Sequence, residues 1–168
     1  MASGSFYNDE NVFREHGMSG LNELFRWIFL SALGLGMLVW FIGGWLTSVS
    51  GRWRDGQRVV ELFQFGPWIR GICRPPGGEE RYKGTAWFGR VRLVRRDYGE
   101  VHLRQMGFPE EVLHLMEGQV TGYFRFRMRD LELVGEFEGR RFRFGLRPPR
   151  ITGMGRQDPV PRAWEQLD

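Results

Sequence analysis

One cysteine, one lysine and three histidines are all that 168 residues contain of these types, and each scarcity removes a class of function. A lone Cys73 forms no internal disulfide, so the chain is not a disulfide-stapled scaffold, and the residue reads as a small buried hydrophobe. Zinc takes three or four His, Cys or carboxylate ligands. A long apolar segment separates His16 from His102 and His114, leaving one Cys and two His beyond it. No spacing calls for a Cys73–His102 nucleophile pair, and His114 stands between apolar residues as a structural histidine does. Pro75-Pro76-Gly77-Gly78 lacks the lysine of a phosphate loop and reads as a turn. No catalytic residue, metal or cofactor is expected, and the chain reads as a non-enzyme.

Charge is absent from the 23 residues Trp27 to Val49. At ~1.5 Å rise per residue such a helix covers roughly 35 Å, enough for a hydrocarbon core of about 30 Å. The segment is too long for the core of a secretory signal, and the head before it is acidic where a signal is short and basic. The reading is a polar head over 1–26, a single transmembrane helix over 27–49 and one domain beyond. The head carries a charge of −2 and the part after the helix +6, with Arg52, Arg54 and Arg58 following closely. Positive residues mark the cytoplasmic side, so the N-terminus is expected outside and the C-terminal domain in the cytoplasm.

Ala32, Gly36, Gly43 and Thr47 fall on one stripe of the helix, while Leu30, Leu33, Met37 and Phe41 give the other sides bulk. Small residues let a second helix approach closely in lipid, so the stripe is the expected packing interface for other membrane-protein subunits. Trp27, Trp45 and Trp53 flank the span, with Arg52 and Arg54, as membrane-interface anchors. With no histidine, acid or base inside, the span offers neither a proton relay nor a histidine ligand for a haem or chlorophyll-type pigment.

After Gly56 the helical period gives way to alternation of period two. An antiparallel β-domain, a roll or small barrel, is expected over 57–146, with six or seven strands. Val59–Phe65 and Trp68–Ile72 read as strands. Thr85–Arg95 and Gly99–Arg104 read as a hairpin around Asp97-Tyr98-Gly99. From Val120 to Leu146 the pattern gives three strands turning at Arg129-Asp130 and Glu138-Gly139, so that Met128 pairs with Leu131 and Phe137 with Arg140. One face then collects Phe124, Phe126, Leu133, Gly135, Phe142 and Phe144. The other collects Arg125, Arg127, Glu132, Glu136, Arg141 and Arg143, a solvated ladder with Arg127 opposite Glu132 and Glu136 opposite Arg141. Between the hairpins, Pro109, the acidic Glu110 and Glu111, and Gly118 bound one short helix, whose Val112, Leu113 and Met116 plug the end of the β-structure.

The Pro-rich tail, 147–168, reads as extended chain held by its own domain or by a neighbouring subunit. Arginine supplies 23 of the 24 basic residues, alternating with apolar ones instead of forming a block. Nucleic acid is therefore not an expected partner, whereas anionic lipid headgroups are possible ones.

Asp130-Leu131-Glu132-Leu133-Val134-Gly135 resembles the D-x-S-x-x-G motif of PilZ domains, with Arg92 and Arg96 at the x-x-x spacing of that family's arginines. The resemblance implies a β-barrel binding cyclic di-GMP; Glu132 stands in place of the serine and would repel the nucleotide's phosphates. In architecture the chain is similar to the H subunit of purple-bacterial photosynthetic reaction centres, with one span and a cytoplasmic β-rich domain. These features point to a non-enzymatic accessory or scaffold subunit of a membrane protein complex. The alternative is a membrane-anchored sensor of a cyclic dinucleotide or lipid.

Overall fold

A computed structural model describes residues 10–167, with the side chains of 10–21 and of 146 excepted. Helix α1 runs from Glu10 to Trp45. Of the described residues, those from Glu10 to Val39 form one unit, while the end of α1, from Trp40, belongs with the β-domain. Residues 1–9 of the head expected over 1–26 lie outside the described residues; from Glu10 onward it is helical. The expected span also ends early: the helix stops at Trp45, and Thr47 and Val49 are buried in the β-domain.

Nine strands follow: β1 (Gly51–Asp55), β2 (Arg58–Phe65), β3 (Trp68–Cys73), β4 (Glu79–Trp87), β5 (Arg90–Tyr98), β6 (Val120–Arg129), β7 (Glu132–Leu146), β8 (Pro149–Arg156) and β9 (Val160–Leu167). Consecutive strands from β1 to β7 pair antiparallel, and β9 inserts between β7 and β1 to close an eight-stranded barrel. Closure removes the exposed edges of an open sheet, and eight strands leave an interior that side chains fill. Trp53, Leu62, Tyr82, Leu93, Phe124, Phe126, Leu133 and Trp164 fill it. The Trp164 ring lies 4.9 Å from Phe126 and 5.6 Å from Tyr82.

β7 is a single strand of 15 residues. Its first part completes the barrel, and the rest leaves it to pair with β8. Against this arm pack α2 (Glu100–Gln105), a 3-10 turn (Glu110–Val112) and α3 (Leu113–Met116). Leu103, Leu113 and Met116 meet Phe108, Phe142, Phe144 and Ile151 in a second, smaller core.

Several expectations are corrected. The β6–β7 turn is Asp130-Leu131, so Met128 pairs with Leu133 instead of Leu131. A shift of two residues keeps every side chain on its expected face, which is why Phe124, Phe126 and Leu133 are still inside and Arg125 and Arg127 outside. It changes the neighbours: Arg127 faces Val134, Glu132 faces Arg129 and Glu136 faces Arg125. Glu138-Gly139 is no turn but the middle of β7, so Phe142 and Phe144 join the second core rather than Phe124 and Phe126. The β4–β5 hairpin turns at Phe88-Gly89, and Glu100–Gln105 is helical rather than a strand. The tail is extended, as expected, but as strands β8 and β9 of its own domain.

Candidate functional site

One end of the barrel gathers the β2–β3 turn at Gly66-Pro67, the β4–β5 turn at Phe88-Gly89, the β6–β7 turn at Asp130-Leu131 and the start of β1. The last turn of α1 docks there. Carbonyls at a helix C-terminus have no partner within the helix. Here the Gln64 side chain donates from Nε2 to the Gly44 carbonyl at 2.6 Å, and the Phe88 backbone N–H donates to the Gly43 carbonyl at 3.1 Å. Gln64 Oε1 also accepts from the Val49 N–H at 2.8 Å, and Thr47 Oγ1 accepts from the Gly89 N–H at 2.6 Å. Trp40 and Phe41 meet the Trp68 ring edge-on, at 4.8 and 5.7 Å.

Large apolar side chains remain exposed around this docking: Phe63, Phe65 (76%), Trp68, Trp87, Phe88 (52%) and Trp45 (79%). A groove of about 410 Å³ runs between Phe41, Ile42, Trp45, Leu46 and Phe65. Phe88 holds a φ of 43° and Gly89 one of 72°, the combination that a tight hairpin turn with two left-handed residues requires. Glycine, asparagine and aspartate suit such a position best, so an exposed phenylalanine there is a costly choice on stability grounds.

The predicted helix stripe divides. A Cβ on Gly43 would collide with the Trp87 ring, and Thr47 is bonded to the β4–β5 turn, so these two face the chain's own barrel. Ala32 and Gly36 are exposed, and nothing lies within 4 Å of a Cβ built at Gly36. Trp27 and Trp45 are exposed. Trp53 is not an anchor: it is fully buried in the barrel and donates from Nε1 to the Val49 carbonyl at 2.9 Å. Arg52 is exposed, and Arg54 lies 3.7 Å from Glu165. Among the described residues one helical segment, Asn22–Trp45, is long and apolar enough to cross a membrane.

The opposite end of the barrel holds a buried polar cluster that the sequence reading missed. The Arg95 guanidinium lies between Asp97 (2.8 Å) and Glu80 (2.9 Å), and Arg58 approaches Glu80 at 2.7 Å. His102 Nε2 is 3.0 Å from Asp97 Oδ1, Tyr82 donates to Glu80 at 2.5 Å, and Thr121 donates to Asp97. Glu80, Asp97 and His102 are close enough to share a metal ion, but Arg95 already supplies the positive charge between the carboxylates. Burial disfavours the Asp97 carboxylate, yet the Arg95 charge and the hydrogen bonds outweigh it and lower its pKa. Burial, reinforced by Glu80, pushes the Cys73 thiol up to about 11 and the Tyr82 phenol well above its usual value. Cys73 is therefore a protonated, inert thiol at neutral pH. Beside the cluster opens a cavity of about 390 Å³ lined by Arg58, Glu61, Cys73, Arg74, His102 and Gln105.

No protein-family model, curated protein or solved structure matches the chain.

Two signals for these sites stood in the sequence. Aromatic residues beside turn residues, Phe65-Gly66-Pro67-Trp68 and Trp87-Phe88-Gly89, mark the apolar rim. Glu80 and Asp97 break otherwise inward-facing apolar positions on β4 and β5, and they sit directly opposite one another.

Proposed function

We propose that the chain is a single-pass, membrane-anchored accessory protein without catalytic function. In this reading α1 crosses the bilayer, the aromatic rim rests in the lipid interface and the barrel covers the cytoplasmic face of neighbouring membrane subunits. The observation that carries it is the joining of the end of the apolar helix to an exposed apolar rim through Trp40 and Phe41, since aromatic rings settle at headgroup level. A cleaved signal is separable from its mature domain. Here Gly44, Thr47 and Val49 are bonded or buried within the β-domain, which favours a retained anchor. Arg52, Arg54 and Arg58 support the cytoplasmic side for the barrel. The exposed Ala32 and Gly36 support a helix partner.

The test is purification in mild detergent with mass spectrometry of co-eluting chains, for the wild type and for Gly36→Leu. Partners that co-elute with the wild type and are lost from the variant support the reading. A chain that alkaline carbonate strips from membranes, or that elutes alone from mild detergent, overturns it.

A second reading, a sensor of a small anion, rests on the distal cavity and its Arg58, Arg74, His102 and Gln105. A thermal-shift screen with cyclic di-GMP and other nucleotides tests it: a rise abolished by Arg58→Gln supports a sensor, and no rise with any of them removes it.

A further inference from the structure

β5 and β6 place four arginines on the outer wall of the barrel in two directly opposed pairs, Arg90 with Arg127 and Arg92 with Arg125. Like charges directly opposite one another destabilise a sheet, so a nearby acid or a bound anion would stabilise the arrangement. Acids are few: Arg125 lies 3.3 Å from Glu138 and faces Glu136. Among the described residues no carboxylate comes within 4.0 Å of Arg90, Arg92 or Arg127. The two-residue register shift matters here, because it takes Glu132 away from Arg127 and leaves Val134 in its place. The arginines border an open groove of about 380 Å³, completed by Gly135 and Glu136.

We infer that this arginine quartet binds the phosphate of anionic lipid headgroups on the leaflet that the barrel faces. The inference rests on the membrane-anchored reading above and gives it a lipid preference. Planar guanidinium groups bind phosphate through paired N–H donors, and with Arg125 already beside Glu138, Arg90, Arg92 and Arg127 around the groove still outweigh the single Glu136. Lipid is favoured over a free phosphate by position. Arg90 is two residues beyond Phe88, and Arg127 lies three before Asp130, so at ~3.3 Å per residue Arg90 and Arg127 sit roughly 7 to 10 Å along their strands from the rim turns. The headgroup layer on each side of a bilayer is about 5 to 8 Å deep, so a rim resting at the interface sets these two arginines against the phosphates.

The experiment uses the full chain in bilayers of phosphatidylcholine containing spin-labelled phosphatidylglycerol or spin-labelled phosphatidylcholine, comparing the immobilised fractions. Each arginine near an anionic surface is worth about fivefold in binding. The wild type should prefer the anionic label, and Arg90→Gln with Arg127→Gln should lower that preference by about tenfold or more. Arg81→Gln with Arg104→Gln, the same charge loss at the far end of the barrel, should leave it unchanged. A wild type that inserts but shows no preference, or a rim-side variant that keeps it, overturns the inference and leaves the anchor intact. A chain that does not insert overturns both. In neutral detergent, inorganic phosphate or cyclic di-GMP that binds the wild type but not the rim-side variant overturns the lipid as the anion's source; no binding of either supports it.

Discussion

The side-chain amide of Gln64 donates to the Gly44 carbonyl at 2.6 Å and to the Gly66 carbonyl at 2.7 Å, so one residue of β2 joins the helix end to the β2–β3 turn. Its oxygen accepts from Val49, so no part of the amide is idle. Gln64→Leu keeps the size but leaves these groups without partners, each costing about 1 to 3 kcal/mol if it stays buried. A thermal melt of the detergent-solubilised chain should show a clear loss, and limited proteolysis should open the 46–50 link. Unchanged melting would show that water replaces the amide at no cost.

Gly43 and Gly36, seven residues apart on one stripe, should respond differently to the same change. Gly43→Leu drives a side chain into Trp87 and Phe88 and should lower the melting temperature of the β-domain. Gly36→Leu meets nothing within the described residues and should leave the melt unchanged. Equal melts for both variants would contradict the docking of the helix end.

Phe126 is 3% exposed and packs on Phe124 and Trp164. Phe126→Ala should cost roughly 3 to 5 kcal/mol, a large share of the stability of a marginal domain. Denaturant unfolding of the detergent-solubilised chain measures it. A cost below about 1 kcal/mol would contradict the packed interior.

Periodicity made the strands legible, and glycine misled where it marks crowding instead of turning. Gly139 lacks a Cβ because Gln157 reaches over it, and the strand continues; Gly99 begins α2, with Gly77 and Gly78 against it. In Glu100–Gln105 the alternating Val101 and Leu103 imitate a strand, but helical geometry turns His102 and Leu103 inward together. The prolines of the tail hid β8 and β9, although Pro149 starts a strand paired on one side only and Pro161 lies where β9 faces β7 alone. The buried cluster was illegible for another reason. Asp97 and His102 are five residues apart but lie on a strand and a helix, and Glu80 comes from another strand, so only the pairing of β4 with β5 and the turn into α2 bring the three together.

Cys73 offers a pH test of the distal end. Its folded pKa of about 11 lies above the ordinary value of 9.0, so the protonated thiol is the favoured form of the folded protein. The associated stability is fully present below pH 9 and is lost as pH rises towards 11. At pH 8 roughly 0.1% of the folded thiol is ionised, against about 10% in the unfolded chain. Iodoacetamide should therefore modify the folded protein at least ~50-fold more slowly at pH 8 than in denaturant. Comparable rates would show an open, activated thiol and revive a chemical role for Cys73.

The seating of the barrel on the membrane is measured most directly by depth. Nitroxide labels at Phe65→Cys, on the rim, and Arg104→Cys, at the far end, in a Cys73→Ser background, report exposure to oxygen dissolved in lipid and to a water-soluble nickel complex. The account predicts oxygen-dominated relaxation at 65 and nickel-dominated relaxation at 104 in reconstituted bilayers. Nickel-dominated relaxation at both positions would lift the rim clear of the bilayer and contradict it.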